Sequence, residues 1–126
     1  MSEILVSVVM PAYNCEKYID QALVSLVEQS FSDFEVICIN DGSTDNSRAI
    51  IERWAKQDKR IIPVFQENRG ASAARNVGLN MARGRWIGFL DADDCFCPDG
   101  LRILLETGEQ THADIVGGGG VMVPDT

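Results

Sequence analysis

Basic residues and histidines are scarce in this sequence. Eleven Lys and Arg side chains stand against 19 Asp and Glu, which leaves a formal net charge of −8 at pH 7. An acidic balance of this size argues against a large nucleic-acid footprint, although it leaves room for a local cationic pocket that binds a small anion. The one histidine, His112, lies far along the chain from the polar clusters, which favours a surface or capping role over catalysis.

Long hydrophobic runs and several nucleotide-binding signatures are also missing. No segment is apolar over enough residues to span a bilayer, and the start has neither a basic leader nor a small-residue cleavage site, so we expect a cytoplasmic chain. The first apolar run is followed by neither Gly-x-Gly-x-x-Gly nor a P-loop, and there is no Gly-x-Ser-x-Gly elbow. These absences argue against a Rossmann dinucleotide site, a P-loop and a serine nucleophile.

Cysteine occurs at four positions, but the spacing is not that of a zinc or redox site. Cys95 and Cys97 form Cys-x-Cys rather than Cys-x-x-Cys, whereas Cys15 and Cys38 lie near the ends of the first two apolar runs. We therefore expect reduced, partly buried thiols.

Short apolar runs alternate with segments of helical periodicity, in a chain of ordinary globular composition, 45% hydrophobic and 24% charged. The alternation predicts an α/β fold with a mainly parallel sheet and helices on both faces. Pro63, inside the third run, predicts an edge strand or a bulge. The predicted strands are 4–10, 34–40, 60–66, 86–90 and 113–117, and the predicted helices are 16–30, 43–57, 71–83 and 98 to about 110.

A polar cluster follows each of the first four predicted strands. Ligands of an open parallel sheet bind at the carboxyl ends of its strands, so all four clusters fall on the same edge. The sequence therefore predicts a ligand site at that edge. The clusters are Pro-Ala-Tyr-Asn (11–14), Asp-Gly-Ser-Thr-Asp (41–45), Glu-Asn-Arg-Gly (67–70) and Asp-Ala-Asp-Asp (91–94).

Three carboxylates crowd the end of the fourth strand, those of Asp91, Asp93 and Asp94. Like charges this close repel one another unless a divalent cation binds between them, and hard oxygen ligands suit Mg²⁺ or Mn²⁺. The structural alternative is a solvated turn that caps the next helix. The position at the end of an apolar strand, on a polar edge, favours the metal site.

Position alone leaves the roles of Asp41 and Arg75 open. A carboxylate at a strand end, such as Asp41, can accept hydrogen bonds from a base or a ribose, but turn and capping chemistry explains its neighbours without a ligand. Arg75 lies near the start of the third predicted helix, with Arg69 just before it. A guanidinium there suits a diphosphate, and a solvated surface arginine is the alternative.

The segments 6–47 and 67–94, which carry these four clusters, resemble the family 2 inverting glycosyltransferases with the GT-A fold. The likeness extends over nearly all of residues 4–117 and keeps the order and spacing of the family's motifs. The resemblance implies a Rossmann-like GT-A sheet that binds a nucleotide-diphosphate sugar, usually UDP-linked. It also implies that residues 1–126 are the nucleotide-sugar-binding part of a domain that is truncated at its carboxyl end.

The resemblance further implies roles for single residues. Pro11, Ala12 and Tyr13 match the loop that flanks the base, and Asp41 matches the aspartate that recognises it. Asp91, Ala92 and Asp93 match the Asp-x-Asp motif, in which Asp91 contacts ribose or metal and Asp93 coordinates Mn²⁺ or Mg²⁺. The binding residues implied are Pro11, Ala12, Tyr13, Asp41, Arg75, Asp91, Ala92 and Asp93, with Asp91 and Asp93 as metal ligands.

The family's reaction is attack of an acceptor hydroxyl on the anomeric carbon, with one carboxylate as general base. By resemblance that base lies beyond residue 126, so no catalytic residue is assigned, and Asp99 and Glu106 fit capping or solvated roles better. The predicted function is metal-dependent sugar transfer with inversion to a saccharide or lipid-linked acceptor, in cell-surface polysaccharide synthesis at the inner membrane face. Peripheral membrane association and a homo-oligomer are further expectations.

Other classes of protein fit parts of the pattern. A sugar nucleotidyltransferase also uses metal-bound carboxylates, but it usually has a glycine-rich basic loop after the first strand, and residues 11–18 contain no glycine. A phosphoacceptor signalling domain would need acidic residues after the first strand and a lysine after the fifth. A non-catalytic nucleotide-sugar-binding module stays an alternative, because only an acceptor-binding part distinguishes it from the enzyme.

Overall fold

A computed structural model of the chain describes residues 6–29, 32–92, 116–117 and 121–124. The predicted alternation of strands and helices is confirmed as far as the fourth strand. The predicted helix at 98–110, His112, Cys95 and Cys97 lie outside the described residues. The elements are β1 (Val6–Ala12), α1 (Ile19–Val27), β2 (Phe34–Asp41), α2 (Ser47–Gln57), β3 (Ile61–Gln66), α3 (Ala71–Met81), β4 (Trp86–Phe89), β5 (Val116–Gly117) and β6 (Val121–Pro124).

The strands form one sheet in the order β3-β2-β1-β4-β6-β5. β1 pairs in parallel with β2 and β4, and β2 pairs in parallel with β3. β6 runs antiparallel to both β4 and β5, a pairing that the sequence did not predict. The mainly parallel α/β fold is therefore confirmed, and β3, which contains Pro63, is an edge strand as predicted.

Helices cover both faces of the sheet, because successive side chains of each strand point to opposite faces. On one face, Val8 and Met10 of β1 belong to a core cluster that includes residues of α1 and α2. On the other face, Val9 packs in a second cluster with Ala74 of α3. None of the helices in the described part of the chain is long and apolar enough to cross a membrane.

The predicted end of the first strand was wrong, because β1 continues through Pro11 to Ala12. Pro11 and Ala12 pair with Ile39 and Asn40 of β2, on one side of the strand. On the other side, the pairing with β4 ends at Val9 opposite Phe89. Pro11 therefore lies beyond the end of that neighbouring strand, where its missing N–H costs no ladder hydrogen bond.

The first helix is shorter than predicted. It begins at Ile19 rather than at residue 16, because the segment before it forms a turn in which the N–H groups of Tyr18 and Ile19 both donate to the carbonyl of Cys15 at 2.9 Å. This turn gives the chain extra length between β1 and α1. The residues that it releases from the helix lie in the loop at the carboxyl end of β1.

A polar cluster built on the buried Ser7 and Glu35 ties β1 and β2 to the segment before β4 at their amino ends. The Ser7 hydroxyl donates to Glu35 Oε2 at 2.6 Å, and the Arg83 guanidinium donates to Glu35 Oε1 through Nε at 3.1 Å and Nη2 at 2.9 Å. The N–H of Gly84 donates to Ser7 Oγ at 2.7 Å. Glu35 is 2% exposed, so these donors compensate a carboxylate that would otherwise be costly to bury. We call this group the Ser7–Glu35–Arg83 clip.

The two described cysteines agree with the expectation of reduced thiols. Cys15 and Cys38 are both free and buried. Burial raises the pKa of each thiol above its ordinary value, which keeps both in the protonated, poorly nucleophilic form. Both belong to the core cluster that faces α1 and α2, so they serve as small apolar side chains.

Candidate functional site

A pocket of about 360 Å³ lies at the carboxyl ends of the parallel strands. Residues from the ends of β1 and β2 and from the segments that follow β1, β3 and β4 line it, so members of all four predicted polar clusters meet at one edge. Of the predicted binding residues, Arg75 and Ala92 do not line the pocket. The lining residues are Pro11, Ala12, Tyr13, Asp41, Asn68, Gly70, Ala71 and Asp91.

Asp41 is the most constrained side chain of the pocket. Its Oδ1 accepts hydrogen bonds from Gln66 Nε2 at 2.9 Å and from the N–H of Arg69 at 2.8 Å, and its Oδ2 accepts from the N–H of Gly70 at 2.9 Å. Burial acts to raise the pKa of this carboxyl, but the three hydrogen bonds outweigh burial and lower it. Asp41 is therefore a fixed, ionised acceptor on the pocket wall.

The loop after β1 is held by the loop after β2. Asn14 has a φ of 47°, in the left-handed region that asparagine tolerates better than most residues. Its Oδ1 accepts from the N–H of Thr44 at 2.8 Å, and its own N–H donates to Ser43 Oγ at 3.0 Å. The N–H of Cys15 donates to Ser47 Oγ at 3.0 Å in the same region. These contacts set the position of the neighbouring Tyr13.

Tyr13 places an aromatic ring at the pocket. Its side chain is 52% exposed, whereas the preceding Ala12 is 2% exposed and closes the pocket from the sheet side. An exposed tyrosine held by a constrained loop offers a flat apolar face and a polar hydroxyl to a ligand. Such a surface suits an aromatic ring such as a base.

Gly42 allows the loops after β2 and β3 to approach each other closely. A Cβ at this position would come within 2.6 Å of the backbone nitrogen of Asn68, and its φ of 70° is also in the left-handed region. Asn68 Nδ2 donates to the backbone carbonyl of Asp41 at 3.2 Å across the same junction. Any larger side chain at Gly42 would push Asn68 away from the pocket.

The amino end of α3 faces the pocket. Gly70 and Ala71, at the start of this helix, are lining residues. No side chain of the described residues caps this end, so N–H groups of the first turn and the positive end of the helix dipole are directed toward the pocket. A helix end of this kind favours a bound anion.

Arg75 lies one turn into α3 and pairs with Asp91. Its Nη2 donates to Asp91 Oδ1 at 3.3 Å, and the two side chains are 41% and 56% exposed. An exposed pair of this kind contributes little to stability. Arg75 therefore contacts a residue that lines the pocket. Little stability would be lost if its guanidinium left Asp91 and bound an anionic ligand instead.

The predicted metal site is described only in part. Asp91 lines the pocket, whereas Asp93 and Asp94 lie outside the described residues. Within residues 6–29 and 32–92 there is no group of three or more acidic, histidine or cysteine side chains that could hold a metal ion. The exposed Asp91 carboxylate is a hard oxygen ligand, of the kind that binds Mg²⁺ or Mn²⁺ together with phosphate oxygens. Ala92, 4% exposed, belongs to the core cluster.

Sequence reasoning gave no role to Gln66, and it included Asn14 and Asn68 only as members of two polar clusters. Gln66 is the last residue of β3, Asn68 follows it, and Asn14 contacts residues about 30 positions away along the chain. Each acts on a partner in another loop, so local pattern gave no reason to select it. The available signal was an amide side chain at or just after the end of a parallel strand, on the edge where the other clusters lie.

The family model for glycosyl transferase family 2 matches residues 7–125. The chain is 46% identical over 115 residues to the uncharacterized glycosyltransferase EpsJ of Bacillus subtilis, covering 91% of this chain and 33% of EpsJ. It is 44% identical over 103 residues to TuaG of the same species, a glycosyltransferase named for teichuronic acid biosynthesis, covering 81% of this chain and 41% of TuaG.

The fold resembles that of a solved structure of the same kind. TarS 1–349 of S. aureus, crystallised with UDP-GlcNAc, superposes with a TM-score of 0.82 at 33% identity, covering 88% of this chain and 33% of TarS. The chain thus spans about a third of the length of EpsJ and of that TarS chain. With the matched family model, the fold and the convergence of its polar loops on one pocket, this chain belongs to glycosyl transferase family 2.

Proposed function

We propose that this chain is the donor-binding part of a glycosyltransferase that transfers a sugar with inversion from a nucleotide-diphosphate sugar, of the UDP class, to an acceptor hydroxyl. The observation that carries the proposal is the pocket in which the ionised Asp41, the exposed Tyr13 and the amino end of α3 meet. An aromatic surface and a fixed acceptor suit a base, and a helix amino end suits a diphosphate.

The base end of the pocket is formed by Tyr13 and Asp41. Tyr13 stacks on or borders the base, with Pro11 and Ala12 closing the pocket behind it, and Asp41 accepts an N–H of the base. Because Asp41 is already ionised and oriented by its own hydrogen bonds, the contact needs no rearrangement of the carboxylate. This preorganisation favours binding.

The diphosphate end is formed by the first turn of α3, Arg75 and Asp91. The helix N–H groups and the guanidinium counter the diphosphate charge, and Asp91, with Asp93, would hold Mn²⁺ or Mg²⁺ beside it. The cation, when bound, acts as a Lewis acid that stabilises the charge of the leaving diphosphate. Arg75 leaves Asp91 Oδ1, to which it donates at 3.3 Å, and donates to a phosphate oxygen instead.

The transfer itself forms one bond and breaks one. The acceptor oxygen bonds to the anomeric carbon as the bond from that carbon to the diphosphate breaks. The acceptor proton passes to a carboxylate that acts as general base, a role that we assign to none of the described residues, and the nucleoside diphosphate leaves with the bonding electrons. This chain contributes the groups that orient the donor and stabilise the leaving diphosphate.

The relatives support the donor class and the biological setting. The TarS structure contains UDP-GlcNAc, and TuaG is named for the biosynthesis of a cell-wall polymer. The chain spans about a third of the length of EpsJ and of that TarS chain, so the activity of a full-length protein is itself part of the proposal.

Calorimetric titration of the chain with UDP and with uridine tests the proposal. We expect UDP to bind more tightly in Mn²⁺ than in EDTA, because Asp91 would hold the cation, whose charge would offset that of the diphosphate. The variant Arg75→Met should weaken UDP binding about tenfold, the usual size of a lost charge-assisted hydrogen bond. The same variant should leave uridine binding unchanged, because uridine has no diphosphate.

The matched control is Arg53→Met, which removes an exposed arginine that pairs with Asp20 at 2.8 Å and does not line the pocket. It should bind UDP as the unmodified chain does. Absence of UDP binding in the unmodified chain would overturn the proposal. Equal effects of the Arg75 and Arg53 substitutions would remove Arg75 from the diphosphate site.

A further inference from the structure

The hydrogen bonds of Asp41 leave it little capacity to accept more. A carboxylate has about four acceptor positions, two on each oxygen. Gln66 Nε2 at 2.9 Å and the Arg69 N–H at 2.8 Å occupy both positions on Oδ1, and the Gly70 N–H at 2.9 Å occupies one on Oδ2. One position on Oδ2 has no hydrogen-bond donor among the described residues, so a ligand can add a single donor.

Gln66 is the donor that depends on side-chain identity, since the other two are backbone N–H groups. It lies directly beside Asp41, because the two residues are register partners in the parallel pairing of β3 with β2. An ionised carboxylate only accepts hydrogen bonds, so the amide of Gln66 must present its NH₂ group. The amide of Gln66, a partly buried residue at the end of an edge strand, is thus fixed in its orientation toward the Asp41 carboxylate.

We propose that Gln66 is a positioning residue that determines base specificity: by occupying Oδ1 of Asp41, it limits that carboxylate to one hydrogen bond from the base. The proposal rests on the proposed function, which places the base at Asp41. The single free acceptor position on Asp41 selects a base that presents one N–H between two carbonyls, as uracil and thymine do. It disfavours guanine, whose ring N–H and exocyclic amino group lie side by side and bind both oxygens of a carboxylate.

Removal of the Gln66 amide would free one more hydrogen-bond acceptor position on the Asp41 carboxylate. Oδ1 would keep only the Arg69 N–H, so each oxygen of Asp41 would have one free acceptor position. Two parallel donors, such as those of guanine, could then bind both oxygens, a bidentate arrangement that carboxylates favour with other paired donors. The uracil N–H would gain no partner and would face a less firmly held carboxylate.

The experiment measures the dissociation constants of UDP and GDP by calorimetry in Mn²⁺, for the unmodified chain and for Gln66→Met. Methionine keeps the length of glutamine and has no donor. We expect the unmodified chain to bind UDP at least about tenfold more tightly than GDP, and Gln66→Met to reduce this ratio about tenfold. Gln66→Val, a good strand former without a donor, should behave in the same way and serves if Gln66→Met unfolds.

The control is Gln57→Met, the same substitution at an exposed glutamine at the end of α2. It should leave the ratio unchanged, and circular dichroism should show all variants folded. Equal weakening of UDP and GDP, or an unchanged ratio, would show a merely structural role for Gln66 and overturn the inference. Preference of the unmodified chain for GDP would overturn it while keeping nucleotide-sugar binding, whereas no binding of either nucleotide would overturn the proposed function as well.

Discussion

At the scale of single residues, Asp41 is both buried and ionised, although burial alone disfavours the charged form of a carboxyl. It is 3% exposed, and burial raises the pKa of a carboxyl, yet the donors Gln66, Arg69 and Gly70 lower it. The donors come from the β3–α3 segment, so the charge of Asp41 depends on how two neighbouring loops meet. The same donors make the side chain intolerant of substitution, because they all require an acceptor.

The substitution Asp41→Asn tests this dependence. An amide of the same shape would turn its NH₂ group toward a donor, so at least one buried hydrogen bond would be lost. We expect the free energy of unfolding to fall by about 1–3 kcal/mol, and UDP binding to weaken about tenfold or more, because the base N–H loses a charged acceptor. Urea denaturation and calorimetry measure the two effects.

The control for Asp41→Asn is Asp33→Asn, which removes an exposed carboxylate just before β2, at the opposite end of the sheet. Stability and UDP binding should both be unaffected by it. If Asp41→Asn matched Asp33→Asn in the two measurements, the carboxylate would have no part in holding the loops or the base.

At the scale of elements, α3 reaches the pocket because Gly78 lets it lie close to the sheet. A Cβ on Gly78 would come within 2.5 Å of Val9 Cγ1 and 3.0 Å of Ile39 Cδ1. Val9 and Ile39 are buried side chains of β1 and β2 and cannot easily move. The absence of a side chain at this one position therefore sets the distance between the helix and the strands that precede the pocket.

The substitution Gly78→Ala should raise intrinsic helix propensity and still destabilise the protein. The overpacked methyl group would cost about 1–3 kcal/mol, more than the gain of about 1 kcal/mol from replacing glycine in a helix. It should also weaken UDP binding, because the amino end of α3 would shift with the helix. Urea denaturation and calorimetry are the measurements.

Asn80→Ala, at an exposed position of the same helix, is the control for Gly78→Ala. It raises helix propensity without a new contact, so we expect equal or higher stability and unchanged UDP affinity. A Gly78→Ala protein more stable than the unmodified one would show that the helix can move away from the sheet at no cost.

At the scale of the whole molecule, several carboxylates carry lowered pKa values in the folded state. Burial raises the pKa of Asp45, but hydrogen bonds from Ser47 and Glu16 outweigh it. The hydrogen bond from Arg60 lowers the pKa of Asp58, and burial opposes it more weakly. Like Asp41, these groups bind protons more readily in the unfolded chain, so acid favours unfolding.

We therefore expect a plateau of stability near neutral pH and a loss in acid. The contribution of these carboxylates is complete above the unfolded pKa of about 4, and it is lost as the pH falls through the lower folded values. Urea denaturation between pH 7 and pH 3 measures the profile. Asp58→Asn should lower stability at neutral pH and make the loss in acid shallower, because one of the linked groups is gone.

Asp33→Asn, which removes an exposed carboxylate outside the Asp58–Arg60 pair, again provides the comparison. An Asp58→Asn profile parallel to the unmodified one over the whole range would show that the Asp58–Arg60 pair, 2.8 Å apart, contributes nothing to the pH dependence.

The sequence predicted the sheet and the position of the pocket because both follow from short-range pattern. The strands ending at Asp41 and Gln66 are local apolar runs, and parallel topology brings the segments after them to one edge. Contacts between loops could not be predicted in this way, since Asn14 and Thr44 are 30 positions apart. Arg75 and Asp91 were predicted separately, and only the fold shows that they contact each other.

Buried polar residues were the hardest to interpret from the sequence. Ser7 and Glu35 stand inside apolar runs, where the strand pattern gives no reason to select them, yet they form the clip with Arg83. β5 (Val116–Gly117) falls within the predicted strand 113–117. β6 was not predicted, because it follows the glycine run 117–120 and is defined by antiparallel pairing rather than by periodicity.

The Ser7–Glu35–Arg83 clip fixes the beginnings of the strands whose far ends carry Tyr13 and Asp41. β1 alone is 7 residues long, so roughly 20 Å of rigid strand separates the fastening from the recognition surface. The framework is thus anchored independently of its binding edge. Loops grafted from a relative with another donor would therefore be attached to strands whose positions do not depend on those loops. This chain is thus suited to chimeras in which donor specificity is exchanged one loop at a time.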